Sequence, residues 1–217
     1  MEIPPSAFTE IKEEIERQAI PMNEYRYISG AGRSQVFGVV GRRCLPPDYS
    51  RLCWMRPKLY KHLLDFAERY VDISWNAITV NQNYKAAPHY DKNNLGVSLL
   101  VGFGDYKGGA LRIHEGDLSG THDLHHKAII ADFSKILHSV EDFEGQRYSL
   151  VFYNFQNSRS VPLPPPSVKE ENGKWYFYRG DKRITRKEGL PHPLRGKKKT
   201  EPPPPEKKVV RFTVDFE

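Results

Sequence analysis

His89 and Asp91 stand one residue apart in the stretch PHYDKNNLGVSLLVGFGDYKGGALRI, residues 88–113. At the end of a strand, positions i and i+2 project to the same side, so an imidazole and a carboxylate at this spacing can converge on one ion while Tyr90 faces elsewhere. An iron(II) that activates dioxygen needs protein ligands on one face only. Two imidazoles and one carboxylate supply that face and leave three neighbouring positions open. Alone the pair is a weak signal: eight His and eleven Asp give roughly 0.4 such pairs by chance, and a polar turn before a strand is the plain alternative. His138 strengthens it, ending the apolar segment 129–137 forty-nine residues after His89. Nine residues later comes Arg147, with Ser149 two further on and on the same strand face. A guanidinium fork beside a hydroxyl is what a buried carboxylate requires. Asp142 or Glu144 is the competing partner for Arg147.

These side chains need a scaffold of strands. Residues 73–84 alternate loosely, 96–103 form a buried apolar run, 110–114 alternate, 128–133 are apolar, and 147–155 alternate with strong β-formers. Short links rich in Gly, Asp and Ser separate them, notably 104–109 and 116–120. Two helices precede the strands. The first carries Ile11, Ile15 and Ala19, with Thr9 or Ser6 as its cap and Pro21 as its end; the second starts at Pro57 and presents Leu59, Leu63, Leu64, Phe66, Ala67 and Tyr70. Helices before a run of short antiparallel strands indicate an α+β domain with a jelly-roll core braced by the helices. Residues 1–160 are expected to form this core. Residues 161–217 form a Pro-rich, basic extension with one hairpin around Lys174-Trp175-Tyr176-Phe177-Tyr178 and an edge strand at 209–216.

The 217 residues suit one sizeable core with appendages. No apolar run approaches the length needed to cross a bilayer, and the start lacks the order of a secretory signal. Two cysteines, Cys44 and Cys53, cannot build a disulfide framework and read as ordinary buried thiols. An intracellular setting, cytoplasmic or nuclear, and a monomer are expected. The net charge of +6 is uneven, with one cluster at Arg42, Arg43, Arg51, Arg56 and Lys58 and a second from Lys182 to Arg211. Such clusters attract polyanions through counterion release, although a solvated tail is the commoner use of a charge run. His114, His122, His125 and His126 lack carboxylate spacing and read as solvent-facing or supporting residues.

The ordered set His89-x-Asp91, His138, Arg147-x-Ser149 resembles the 2-oxoglutarate- and iron(II)-dependent oxygenases with a double-stranded β-helix (cupin-like) core, over residues 73–156. The loop His89-Tyr90-Asp91 with Asn94, followed by GFGDYKGGALRI, is most similar to the TET/JBP branch, which oxidises the methyl group of 5-methylcytosine or thymine in nucleic acid. The resemblance implies iron(II) held by His89, Asp91 and His138, 2-oxoglutarate gripped by Arg147 and Ser149, and dioxygen as co-substrate. Asn81, Asn83 and Tyr84 are candidates for the nearer oxygens of 2-oxoglutarate. Asn94 would brace the metal loop or meet the target, and Tyr90, Phe103 or Tyr106 would stack on an extruded base. A prolyl or other side-chain hydroxylase and a noncatalytic binding barrel are the alternatives. The basic clusters favour nucleic acid, and the complete ligand set disfavours a noncatalytic module.

Overall fold

The computed structural model describes residues 1–18, 30–42, 45–155 and 164–185. The expected end of the first helix at Ala19 and Pro21, Arg43, Cys44, the tail from Arg186 and the edge strand at 209–216 lie outside the described residues.

Pro5–Phe8 forms a 3-10 turn that runs directly into α1 (Thr9–Arg17). Neither Ser6 nor Thr9 caps the helix with its side chain: the turn starts on Pro5, whose fixed φ suits a first helical position. Two elements that were not expected follow, β1 (Gly30–Arg42) and β2 (Leu45–Tyr49), then α2 (Arg51–Met55), capped by the Ser50 hydroxyl accepting from the Leu52 N–H. The second amphipathic helix is α3 (Pro57–Tyr70), with Leu59, Leu63, Phe66 and Ala67 buried. The remaining core strands are β3 (Ala77–Ala86), β4 (Asn94–Gly108), β5 (Leu111–Ile113), β6 (Gly120–His122), β7 (Ile129–Ala131), β8 (His138–Val140) and β9 (Phe143–Phe155). The segment 104–109, expected as a link, is strand through Gly108, because β4 stays paired with β9 as far as Gly108 opposite Phe143.

The strands make two facing sheets, a large one in the order β2-β1-β3-β9-β4-β7 and a small one in the order β6-β5-β8. The pairings are antiparallel, and sequence-distant strands lie side by side: this is the double-stranded β-helix. Alternation along the large sheet separates two apolar layers. Phe37, Ile78, Val80, Val101, Leu150 and Phe152 pack outward against α1 and α3, the principal core. Leu100 faces inward with Leu111, Ile113 and Leu124 of the small-sheet side. Burying each large side chain contributes roughly 1.5–3 kcal/mol, so the helical layer sets the rigidity of the sheet that carries the site.

Beyond the core, β10 (Ser167–Glu171), β11 (Lys174–Arg179) and β12 (Lys182–Ile184) form a three-stranded antiparallel meander, one strand more than the expected hairpin. It is not a detached appendage. Val168, Phe177 and Ile184 join the principal core, the Tyr60 hydroxyl donates to the Pro166 carbonyl at 2.6 Å, and Trp54 packs on Phe177 at 4.0 Å. Cys53 is fully buried, and burial pushes its thiol up to about 12, so it is inert at neutral pH. No helix among the described residues is long and apolar enough to cross a membrane.

Candidate metal centre

Between the two sheets lies a cavity of about 790 Å³, and His89, Asp91 and His138 stand at its mouth. One ligand atom from each lies within 4.8 Å of the others, and among the described residues they are the one His/Cys/Asp/Glu group so arranged. His138 begins β8, while His89 lies outside any strand but bridges it directly. The His89 N–H donates to the His138 carbonyl at 2.9 Å and the His138 N–H donates back at 3.1 Å. A pair exchanging both bonds puts its side chains on one face of the sheet. Asp91 is pinned by its N–H to the Phe133 carbonyl at 2.9 Å.

The orientation of each ring is fixed from behind. His89 Nδ1 lies 2.8 Å from the Ala87 carbonyl and His138 Nδ1 2.9 Å from the Ile136 carbonyl. A carbonyl only accepts, so Nδ1 carries the proton in both and Nε2 presents a lone pair. His89 Nε2 is 3.4 Å from Asp91 Oδ1. Burial lowers the His138 pKa below the ordinary imidazole value, which keeps it neutral and competent to ligate. Asn94 Nδ2 donates to Asp91 Oδ2 at 3.1 Å and to the Ser98 hydroxyl at 3.2 Å, which steadies the loop that carries Asp91. Two imidazoles and a carboxylate on one side of a cavity suit an octahedral iron(II) with open positions.

Deeper in the cavity, the Arg147 side chain is 2% exposed. Its Nε donates to the Gly109 carbonyl at 3.1 Å, and the ring of Tyr106 lies 5.6 Å from its guanidinium carbon. The carboxylate expected as its competitor is elsewhere, since Asp142 pairs with Lys85 on the surface and Arg147 faces inward. Among the described residues no carboxylate forms an ion pair with Arg147. Burial lowers its pKa from 12.5, yet a guanidinium stays protonated. A buried cation without a counter-charge is costly, which makes the cavity floor a receptor for an anion. Two further groups stand beside it. Ser149 accepts from Asn81 Nδ2 at 3.1 Å, leaving its own hydroxyl hydrogen to donate. The buried Tyr106 hydroxyl lies against the Arg147 guanidinium. Burial pushes the Tyr106 phenol up, so it stays a donor. Two glycines make room. A Cβ on Gly109, whose φ is +68°, would lie 2.7 Å from Arg147 Cδ, and one on Gly102 would lie 2.6 Å from the Tyr106 hydroxyl. The floor therefore fits a dicarboxylate such as 2-oxoglutarate, one end on Arg147 and the other toward the metal ligands.

Three expected site residues are corrected. Phe103 is 0% exposed and stacks between Phe8 and Tyr148 in the helical layer, because odd positions of β4 face the helices. Asn83 does not reach the cavity: at φ 50° its side chain donates to Gln146 and accepts from the Arg147 N–H at 2.8 Å, clipping β3 to β9. Tyr106 is no stacking surface at the mouth, since continuation of β4 places it inside, beside Arg147. Tyr84 lines the cavity. Tyr90 is at the mouth, 37% exposed, and its hydroxyl donates to Glu115 Oε1 at 2.7 Å. The four outlying histidines are supports: His125 Nε2 lies 2.9 Å from the Gly104 carbonyl with its ring 4.6 Å from Tyr106, and His126 stacks on Phe8. Sequence reasoning missed Glu115, whose Oε1 also accepts from the Leu137 N–H at 2.9 Å. It sits in a polar Gly/Asp/Ser loop with nothing local to mark it.

No protein-family profile matches the sequence, and no curated protein is a significant match. Solved structures do resemble the fold. NgTET1 in complex with 5mC DNA superposes with a TM-score of 0.52 at 14% identity, over 74% of this chain and 72% of that one. A prolyl-4-hydroxylase from Pseudomonas putida gives 0.45 at 14% identity over 71% and 89%. A prolyl hydroxylase from Trichoplax adhaerens in complex with a hypoxia-inducible-factor peptide gives 0.44 at 12% identity, over 69% and 78%. The first of these likenesses shows a shared fold.

Proposed function

We propose that the chain is an iron(II)- and 2-oxoglutarate-dependent dioxygenase that hydroxylates a nucleic-acid base, the methyl group of 5-methylcytosine or thymine being the target. The observation that carries the dioxygenase reading is the pairing of a His89/Asp91/His138 face with a buried Arg147 that has no carboxylate partner among the described residues, in one cavity. The nucleobase target is supported by the basic excess of the chain, by the fold shared with NgTET1, whose structure holds 5mC DNA, and by the exposed Tyr90 ring at the mouth.

Iron(II), 2-oxoglutarate and dioxygen together supply the oxidative decarboxylation to succinate and carbon dioxide that is coupled to hydroxylation of a C–H bond. The chain binds, orients and excludes water. His89 and His138 offer Nε2 lone pairs because the Ala87 and Ile136 carbonyls hold the Nδ1 protons. Asp91 supplies the negative charge, steadied by Asn94. Arg147 and Ser149 donate to the far carboxylate of the co-substrate, Tyr106 stands behind the guanidinium, and the walls of Leu100, Leu111, Val140 and Val151 keep the cavity dry around it. Tyr90, tethered to Glu115, offers its face to a base entering the mouth.

Incubation of the protein with iron(II), 2-oxoglutarate and libraries of methylated DNA, methylated RNA and peptides, read by mass spectrometry, tests both parts. A gain of one oxygen on a methylated base with stoichiometric succinate is the expected result. Oxygen appearing on a peptide library alone would replace the nucleobase assignment, and no succinate with any library would end the enzymatic one.

A further inference from the structure

Strand alternation gives the β10–β12 meander two unlike faces. Val168, Phe177 and Ile184 point into the principal core and Trp175 packs against it. The outer face carries Tyr176 and Tyr178 of β11, flanked by Lys169 of β10, Lys174, and Arg183 of β12. The pairing is crossed. Lys169 is registered opposite Tyr176 but its Nζ lies 5.1 Å from the Tyr178 ring, while Arg183 is registered opposite Tyr178 but its guanidinium carbon lies 3.8 Å from the Tyr176 ring. Each cation thus lies on the diagonal tyrosine. All three cations are exposed, and both tyrosines are half-buried. The only acid directly registered among them is Glu171, opposite Lys174.

The meander, residues 164–185, is itself basic, with five Lys and Arg against three Asp and Glu, and the sequence that follows it, 186–217, adds nine against five. A surface of cations alone would suit any polyanion. Aromatic rings interleaved with cations suit one in particular, because phosphates take the cations while bases stack on rings and on guanidinium planes. An acidic protein segment would leave the tyrosines idle, and a membrane surface would call for protruding apolar side chains that this face lacks.

We propose that the outer face of the meander is a platform for a single nucleic-acid strand. Phosphates lie along Lys174 and draw Lys169 and Arg183 off the rings they cover in the free protein, and bases stack on Tyr176 and Tyr178 in their place. The inference rests on the nucleobase reading above and adds to it a second contact site, on the helical side of the large sheet, away from the metal cavity. Two contacts on one strand raise the effective concentration of the target at the cavity without any tighter grip at the cavity itself.

Fluorescence-anisotropy titration of the full chain with labelled single-stranded oligothymidylate, against heparin as a charge-only probe, tests it. In Y176S/Y178S, affinity for oligothymidylate should fall about tenfold or more, while heparin binds as to the unaltered chain. In K169Q/K174Q/R183Q, the slope of log affinity against log salt should drop by about 2. Y176F/Y178F keeps the rings and should bind as the unaltered chain does, which separates stacking from damage to the fold. If Y176S/Y178S binds oligothymidylate undiminished, or loses heparin to the same degree, the platform is overturned while the nucleobase reading stands. An unchanged salt slope in the triple variant overturns it as well. If the unaltered chain binds no oligothymidylate at low salt, the platform and the nucleic-acid reading fall together.

Discussion

The backbones of His89 and His138 exchange hydrogen bonds of 2.9 and 3.1 Å across an antiparallel bridge, and their rings lie 4.4 Å apart with 47° between planes. Forty-nine residues of chain separate them, yet each holds the other in place. The metal face is thus built into the sheet, so that deleting one imidazole leaves the backbone that positions the other. His89→Ala or Asp91→Ala should reduce succinate formation at least about a hundredfold, while thermal melting of the metal-free protein moves little. Undiminished succinate from the His89→Ala protein would contradict the site.

Arg147 is expected to govern the co-substrate rather than the metal. A charge-assisted hydrogen bond contributes about 1.5–3 kcal/mol, so Arg147→Ala should raise the KM for 2-oxoglutarate about tenfold to a hundredfold. Tyr106→Phe, which removes only the buried hydroxyl, should raise it about tenfold or less. Isothermal titration with 2-oxoglutarate reads both directly, and equal affinity in all three proteins would remove the carboxylate receptor.

Gly109 offers a test that removes no polar group. At φ +68° a Cβ is strained and would also press on Arg147 Cδ at 2.7 Å. Gly109→Ala should destabilise the fold by about 1–2 kcal/mol from the backbone alone. It should also weaken 2-oxoglutarate binding, because the guanidinium must move. Chemical denaturation and the same titration measure the two effects separately.

The Glu115 carboxylate ties Tyr90 and the N–H of Leu137, the neighbour of His138, through a single oxygen. Glu115→Ala should free Tyr90 and raise the KM for the oxidised substrate several-fold, with kcat and the KM for 2-oxoglutarate less affected. Glu115→Gln keeps an acceptor oxygen and should largely restore the KM. A loss confined to kcat would assign Glu115 to the metal strand instead.

Acid should destabilise the metal-free protein through His126, among other groups. Burial lowers its pKa below 6.5, His125 beside it lowers it further, and Asp123 opposes. Its ring stacks on Phe8 of the N-terminal turn. The unfolded imidazole takes up its proton near pH 6.5 and the folded one only at lower pH. The contribution is therefore complete above pH 6.5 and is lost as pH falls through the folded value. His126→Asn tolerates the left-handed backbone and should flatten the stability profile just below pH 6.5, as read by thermal melting across pH.

The residue types and the order of His89, Asp91, His138 and Arg147 are properties of the linear chain, and so are α3 and the strands that carry them, because periodicity and turn residues are local signals. Three-dimensional pairing decided what local signals cannot encode. Phe103 and Tyr106 sit in one apolar and aromatic run, yet the register of β4 with β9 sends one into the helical layer and the other to Arg147. Asn81 and Asn83 differ by one strand repeat, but the positive φ at Asn83 turns it from the cavity to clip a neighbouring strand. Glu115 acquires its place only when loops distant in sequence meet at the mouth. Register, bulges and loop contacts depend on energies shared between remote segments, and so they arise with the folded sheet rather than with the sequence of any one strand.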